Sequence, residues 1–420
     1  MPQGSAAVLA HEALEQVVRE DWGRLIGSLI RRHGRPDLAE ECVAEAVASA
    51  VDQWVRMGVP NSPPGWLAHV ASRRLLDSLR REATAAGKAH LVASPEETQP
   101  QPTFGPGGQI DDRLPLLFLA AHPALAPEVR PALSLRFVLG VPTADIAALF
   151  LVPTTTMAAR LTRAKKRLRD IGAAFAVPAA EALPERTDDV ARAIYLAFTA
   201  AYAPREGADV VAVSAAGDAV RLAHLASELV PGTPVLQALF ALATLQHARR
   251  DARADADGGL VRLSDQDRSR WHTDEIDSGL AILRRIEPTT GFAEELRLQG
   301  LIAAFHATAA TAAETDWAAI VRAYRRLEDL TGSPVVRLNR AVAVAELSGP
   351  LHGLRVLQAA ADQLPGHHRV HVVRAELLRR EGQISAARDA YKTAIGLCPD
   401  GPELRYVHGQ LAAVESTKFS

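Results

Sequence analysis

Residues 34 positions apart in the C-terminal part of this chain match in size and polarity: Ala341 with Ala375, Gly353 with Ala387, Leu357 with Tyr391, Ala360 with Ala394 and Pro365 with Pro399. The shared order is small, small, large apolar, small, proline. Small residues let two helices approach closely, the large one fills the groove of its neighbour, and the proline ends the unit at a turn. A helix pair repeated at this period cannot cover its apolar face alone, so it must stack on its own copies. A weaker copy lies upstream, from Trp317 to Gly332, with Ala319, Ala323 and Tyr324. The spacing predicts a helical-repeat domain within 180–416, clearest over 334–401, with two good repeats and at least one degenerate one.

The remainder also reads as helix. Leu14, Val17 and Val18, then Leu25, Ile26, Leu29 and Ile30, then Val43, Ala46, Val47, Ala50, Val51 and Trp54 recur at helical spacing. Gly34-Arg35-Pro36 and the stretch from Gly58 to Gly65 punctuate them. Aromatic residues make up 5% of the chain, so the cores must be built from Ala and Leu contacts between helices, and an all-α architecture follows. No apolar run reaches 18 residues and the first ten residues have no signal-like pattern, which predicts a cytoplasmic chain with no membrane partner. Cys42 and Cys398 sit at apolar helical positions without metal-ligand spacing and read as buried thiols.

From about 85 to 110 the chain turns to Pro, Gln, Thr and Gly without periodicity, a flexible linker between 10–84 and 111–172 that lets the two move independently. Lys and Arg against Asp and Glu count 10 to 11 over 1–86, 27 to 31 after 170, but 9 to 4 over 112–170, so the middle block alone is basic. Within it, Pro142 to Phe150 makes a short helix, Leu151-Val152-Pro153 a tight turn, and Thr154 opens a second helix to about Arg169. That is a helix-turn-helix, with Thr143 and Thr154 suited to cap its two helices. Its second helix carries Arg160, Arg163, Lys165, Lys166, Arg167 and Arg169 with no acid between them, which points to phosphate binding. Thr154, Thr155 and Thr156 place short hydroxyls at its N-terminus, where base edges and phosphates come within reach.

Two upstream stretches sharpen this. In the run from Gly65 to Glu82, Leu67, Val70, Ala71, Leu75 and Leu79 line one face while Arg73, Arg74, Arg80 and Arg81 lie off it. The form Trp-Leu-x-x-Val-Ala-x-x-x-x-x-Asp-x-x-Arg-Arg, following a Pro-rich loop, resembles the promoter-recognition helix of sigma factor region 2. The run from Leu38 to Trp54 resembles the polymerase-binding helix of that region, with Glu41 where relatives carry Asp and Val47 as the apolar anchor. The basic helix-turn-helix resembles sigma region 4. With Asp112-Arg113-Leu114, His122-Pro123-Ala124-Leu125, the stretch from Asp265 to Trp271 and that from Leu338 to Glu346, the whole resembles the extracytoplasmic-function (ECF) RNA polymerase sigma factors that carry a tetratricopeptide (TPR)-like C-terminal extension. The chain departs from them at Ala120-Ala121, where relatives have two cysteines, and at Thr199-Ala200-Ala201, where they have Asn-Glu-Gly.

The resemblance implies a sigma factor that binds core RNA polymerase through Glu40, Glu41, Glu45 and Val47, a contact that charge can steer. It implies minus-ten reading by Asn61, Arg73, Arg74, Arg80 and Arg81, with a splayed base entering near Asn61. Minus-thirty-five reading falls to Thr154, Thr155, Thr156, Arg160, Arg163, Lys165 and Lys166. The C-terminal domain then regulates, through an intramolecular or a protein partner. The alternative is a helix-turn-helix regulator with a TPR interaction domain that never joins polymerase. No catalytic constellation is found: the histidines are dispersed, Gly258-Gly259 belongs to no phosphate loop, and Asp265 and Asp267 lack the rest of a calcium loop. His367, His368 and His371 lack a fourth ligand, so no enzyme activity, metal or cofactor is expected. The stretch from Asp265 to Trp271 reads as an acid and arginine network tying helices together.

Overall fold

Helical periodicity is realised throughout the computed structural model, which describes residues 3–85, 112–150, 152–202, 213–255, 259–399 and 401–416. The fold is all-α; among the described residues there is no strand, and one isolated bridge joins Ala254 to Leu260. No single helix among them is long and apolar enough to cross a membrane. The chain divides into two compact units, Met1–Ala197 and Phe198–Ser420.

The first unit begins with α1 (Gln3–His33), α2 (Pro36–Met57) and α3 (Pro63–Ala85). Their shared core takes Leu25, Ile26, Leu29 and Ile30 from α1, Val43, Ala46, Ala50 and Trp54 from α2, and Leu67, Ala71 and Leu75 from α3. Trp54 meets Trp66 edge-on at 5.7 Å, closing the end of α2 over the start of α3. Then come α4 (Arg113–Ala120), α5 (Arg130–Leu139), α6 (Thr143–Leu149) and α7 (Thr154–Asp170). The start of α8 (Leu183–Ala201) is fastened to α5 by Arg130 and Asp189 at 2.8 Å.

The sequence expects these two helix groups to move independently across a flexible linker. They instead share an interface. Trp22 of α1 donates its indole N–H to the Arg136 carbonyl at 2.9 Å, and the Arg136 guanidinium lies over the same ring at 5.2 Å. Gly140 ends α5 at φ +72°, and a Cβ there would sit 2.7 Å from Trp22 Cδ2, so no larger residue fits the junction. Residues 86–111, which carry nearly all of the expected linker, and Leu151 of the expected turn lie outside the described residues. The capping expectation is corrected: Thr143 and Thr154 are the first helical residues, and Pro142 and Pro153 hold the cap positions without a side-chain bond. Proline's fixed φ sets the extended turn into each helix, which leaves the threonine hydroxyls unused as caps.

In the second unit α9 (Val213–Leu229), α10 (Pro234–His247), α11 (Thr273–Leu283) and α12 (Gly291–Thr308) precede a run of helix pairs: α13 (Trp317–Thr331), α14 (Pro334–Ser348), α15 (Pro350–Ala361), α16 (His368–Arg380), α17 (Ile384–Leu397) and α18 (Pro402–Ser416). The 34-residue period holds in space. The ion pairs Glu346 with Arg380 and Arg369 with Glu403 each join side chains 34 residues apart on successive even-numbered helices. Ala341, Ala375, Leu357, Tyr391, Ala360 and Ala394, matched in the sequence, are all buried. Gly353 is the crossing point of α14 and α15, where a Cβ would come within 2.6 Å of the Ala345 Cβ and 2.8 Å of the Ala341 carbonyl oxygen. The weaker copy is α13, whose Ile320, Ala323 and Leu327 cluster with Leu298, Ile302 and Ala343, and whose Ala319 is also buried. Cys42 is buried, as expected, and burial pushes its thiol up to about 11. Cys398 is corrected: it follows the last residue of α17 and is part-exposed.

Candidate functional site

The basic helix-turn-helix sets up its own presentation. Met157, Leu161, Ala164 and Leu168 recur at helical spacing on α7 and are buried, so the helix is fixed by one stripe. The opposite side then faces outward: Thr154, Thr155, Arg163, Lys166 and Arg167 are exposed, and Thr156 and Arg160 are half-buried. α6 and α7 turn through 107°, in the range of helix-turn-helix pairs. Six of the seven residues assigned to duplex reading therefore lie on accessible surface at or near the N-terminal half of one helix. Lys165 is the exception.

On α3 the buried stripe of Leu67, Ala68, Ala71 and Leu75 leaves Arg73, Arg80 and Arg81 exposed. Asn61 is exposed in the bend that precedes the helix. Arg74 behaves differently, because it reaches back to α2 and donates to Glu45 at 2.6 Å and to Ser49 at 2.7 Å. A residue assigned to promoter DNA and one assigned to polymerase are thus paired with each other. Both are well exposed, so the pair contributes well under about 1 kcal/mol and opens readily to another partner.

α2 has two apolar faces. One holds the core residues; the other holds Val51 and Val55, exposed at 49% and 37%, with half-buried Val47 a turn before them. Met57, 84% exposed, and Val59 continue this strip past the helix end. Helical spacing marks Val51 as apolar without saying which face of the helix is covered. Glu41 and Glu45 are exposed on the same helix.

Glu40 is not exposed. Its carboxylate is buried between α5 and α7, accepting from Arg136 Nε at 2.8 Å, again from the Arg136 terminal nitrogen, and from Lys165 Nζ at 2.9 Å. Burial alone would push Glu40 up, but Arg136 and Lys165 outweigh it and hold the acid below the usual carboxylate range. A turn away, Asp37 accepts from Arg35 at 2.8 Å and from Arg169 at 2.9 Å, and Arg35 also reaches Glu82 at 2.7 Å. Asp37 is likewise held low, its burial outweighed by Arg35 and Arg169. Sequence reasoning places Glu40 and Lys165 at two separate surfaces; the structure brings them together in one buried cluster. Among the described residues no group of three or more His, Cys, Asp or Glu is placed to hold a metal ion. His367 and His368 stack on each other at 5.3 Å, and His368 faces Glu403 at 3.3 Å.

With this geometry in hand, the likenesses fall into place. Residues 116–168, the span of α4 to α7, match the family described as sigma-70, region 4. Residues 186–287 match a family of unknown function, DUF6596. The uncharacterized protein R00370 of Rhizobium meliloti is 37% identical over 396 residues, covering 92% of either chain. The ECF RNA polymerase sigma factor SigE of Mycolicibacterium smegmatis is 28% identical over 159 residues, which are 37% of this chain and 60% of that one. The crystal structure of yeast Tom70 aligns over 99% of this chain and 86% of its own at 11% identity, with a TM-score of 0.35.

Proposed function

The chain belongs to the same family as protein R00370 of Rhizobium meliloti and is sigma-factor-like, and we propose that it is an ECF-type sigma factor that binds core RNA polymerase and directs initiation at particular promoters. The observation that carries this reading is α7. It matches region 4, follows its partner helix at 107°, and keeps Arg163, Lys166 and Arg167 on the surface with no acid of its own between them. Such a helix enters the major groove by its N-terminal residues while the cations further along hold phosphates. Thr154, Thr155, Thr156, Arg160 and Arg163 then read the minus-thirty-five element, and Arg73, Arg80 and Arg81 with Asn61 act at the minus-ten element. Polymerase docks on the outer face of α2, where Glu41 and Glu45 supply charge and Val47, Val51, Val55 and Met57 supply the apolar contact that acids alone would not. Glu40, being committed to Arg136 and Lys165, supports that face from behind.

In this reading the protein acts in the cytoplasm, catalyses no bond change itself, and uses its second unit to regulate initiation. The test is run-off transcription with core polymerase and the full chain. Replacing Arg160 and Arg163 by Ala abolishes promoter-dependent transcripts and lowers the slope of log affinity against log salt, by up to about 2 if both guanidinium groups also neutralise a phosphate beside the bases they read. Core polymerase is still retained by the variant in a pull-down, since α2 is untouched. Unchanged transcripts in the double variant would refute the assignment of α7. Failure of the wild-type chain to retain core polymerase would favour a DNA-binding regulator outside the polymerase.

A further inference from the structure

Three arginines of the second unit, Arg249, Arg253 and Arg268, converge on two aromatic rings. Arg268 lies over Trp271 at 4.4 Å and Arg249 over the same ring at 5.8 Å, while Arg253 lies over Tyr202 at 4.5 Å. The placement is built by backbone. Arg249 follows the end of α10, and Arg253 is held where Val261 donates to its carbonyl at 2.9 Å beside the Ala254 to Leu260 bridge. Arg268 is anchored by donating to the carbonyls of His306 and Ala309 at 2.6 and 2.7 Å, which ties the stretch from Asp265 to Trp271 to the end of α12.

Among the described residues this cluster holds no anion. Among the described residues no carboxylate forms an ion pair with any of the three. The acids nearby are engaged elsewhere: Glu275 with Arg250 at 2.7 Å and Asp251 with His272 at 2.7 Å. Glu314 acts on Arg268 only from beyond ion-pair distance. Stacking on a ring uses the face of a guanidinium and leaves its in-plane N–H groups unspent. Two donors of the cluster, Arg249 Nε and Trp271 Nε1, are buried with no hydrogen-bond partner. Burial and then the neighbouring Arg253 push Arg249 down to about 9, which records the cost of crowding cations there. The histidines add no charge at neutral pH. Burial pushes His247 and His306 down to about 4, and His247 shares a 2.9 Å hydrogen bond with the Tyr202 hydroxyl.

A fold rarely gathers part-buried cations that have no carboxylate among the described residues together with orphaned N–H donors unless an acceptor serves them. We propose that Arg249, Arg253 and Arg268, with Trp271 and Tyr202, form a binding site for a small ligand bearing a multiply charged oxyanion, a phosphoryl or polycarboxylate group. The guanidinium edges and the two orphaned N–H groups supply the donors. The site lies almost wholly within the residues matching DUF6596, and it stands whether or not the chain joins polymerase.

The experiment follows thermal unfolding of the full chain at constant ionic strength with sodium chloride, inorganic phosphate, pyrophosphate or citrate. Phosphate or pyrophosphate alone raising the melting temperature saturably identifies a phosphoryl ligand, and citrate alone a carboxylate one; either supports the site. Arg249→Met and Arg253→Met each abolish the rise. Without added anion, Arg249→Met melts at or above the wild-type temperature, because it removes a charge that has no carboxylate partner among the described residues. Arg250→Met, which breaks the pair with Glu275, lowers the melting temperature but keeps the response. No rise with any of the oxyanions, an equal rise in Arg249→Met and Arg253→Met, or a lower melting temperature of Arg249→Met without anion would overturn the proposal.

Discussion

Replacing Glu40 by Gln removes one charge from a buried cluster of three. The amide oxygen can still accept on one side, but the amide NH2 accepts nothing on the other, and Arg136 and Lys165 lose their Glu40 counter-ion with their side chains only 16% and 14% exposed. At an effective dielectric of about 20, two contacts near 3 Å are each worth about 5 kcal/mol, and the desolvation of three ions consumes most of that. The intact cluster is therefore close to neutral overall. Breaking it is a different matter, because stranded buried charges cost about 3–5 kcal/mol. In a unit of this size that corresponds to a fall of about 6–20 °C in its melting temperature. Differential scanning calorimetry of the full chain reads this as a shift of one transition. Replacing Glu40, Arg136 and Lys165 together by Met restores most of the loss, since no charge is then stranded. A shift below about 2 °C for Glu40→Gln would refute the reasoning, for it would mean the cluster is solvated like a surface pair.

Two further outcomes follow from the same unit. Arg35 holds Glu82 below the usual carboxylate range, and Asp37 and Glu40 are held below it despite their burial, so their stabilisation is present above the ordinary carboxylate pKa of about 4 and is lost as pH falls through the depressed values. Circular dichroism melts should hold steady from pH 7 to 5 and fall steeply below about pH 4; a flat profile to pH 3 would contradict the ion pairs. Gly140→Ala meets both a positive φ and the Trp22 ring, and should cost about 1–3 kcal/mol in urea unfolding, with a cost under about 0.5 kcal/mol counting against the α1 to α5 junction.

Local signals carried much of the fold. The 34-residue match, the apolar spacing of the first helices and the Pro and Gly punctuation are written in the sequence pattern, and each reappears as an element or a buried face. The sites were harder to read where they depend on distance along the chain. Glu40 and Arg136 are 96 residues apart, and nothing near Glu40 distinguishes a buried acid from the exposed Glu41 beside it. Val51 shows the converse, an apolar residue at helical spacing that the described residues leave half exposed. Nothing in the sequence separates Arg250 from Arg249 and Arg253. Only the fold shows that Glu275 neutralises Arg250 and that its two neighbours have no carboxylate among the described residues.

The helix pairs from α14 to α18 have separate small cores. One gathers Leu338, Leu357 and Val370, and the next Tyr391, Val407 and Val414, with the Glu346–Arg380 and Arg369–Glu403 pairs spanning the steps. An array without a common core has no common breaking point. Under tension from its C-terminal end it would come apart as a zipper does, α18 first and then one helix pair at a time. Each released unit of 34 residues would pay out about 110 Å of chain, so the period read from matched alanines in the sequence is also the expected spacing of a force trace.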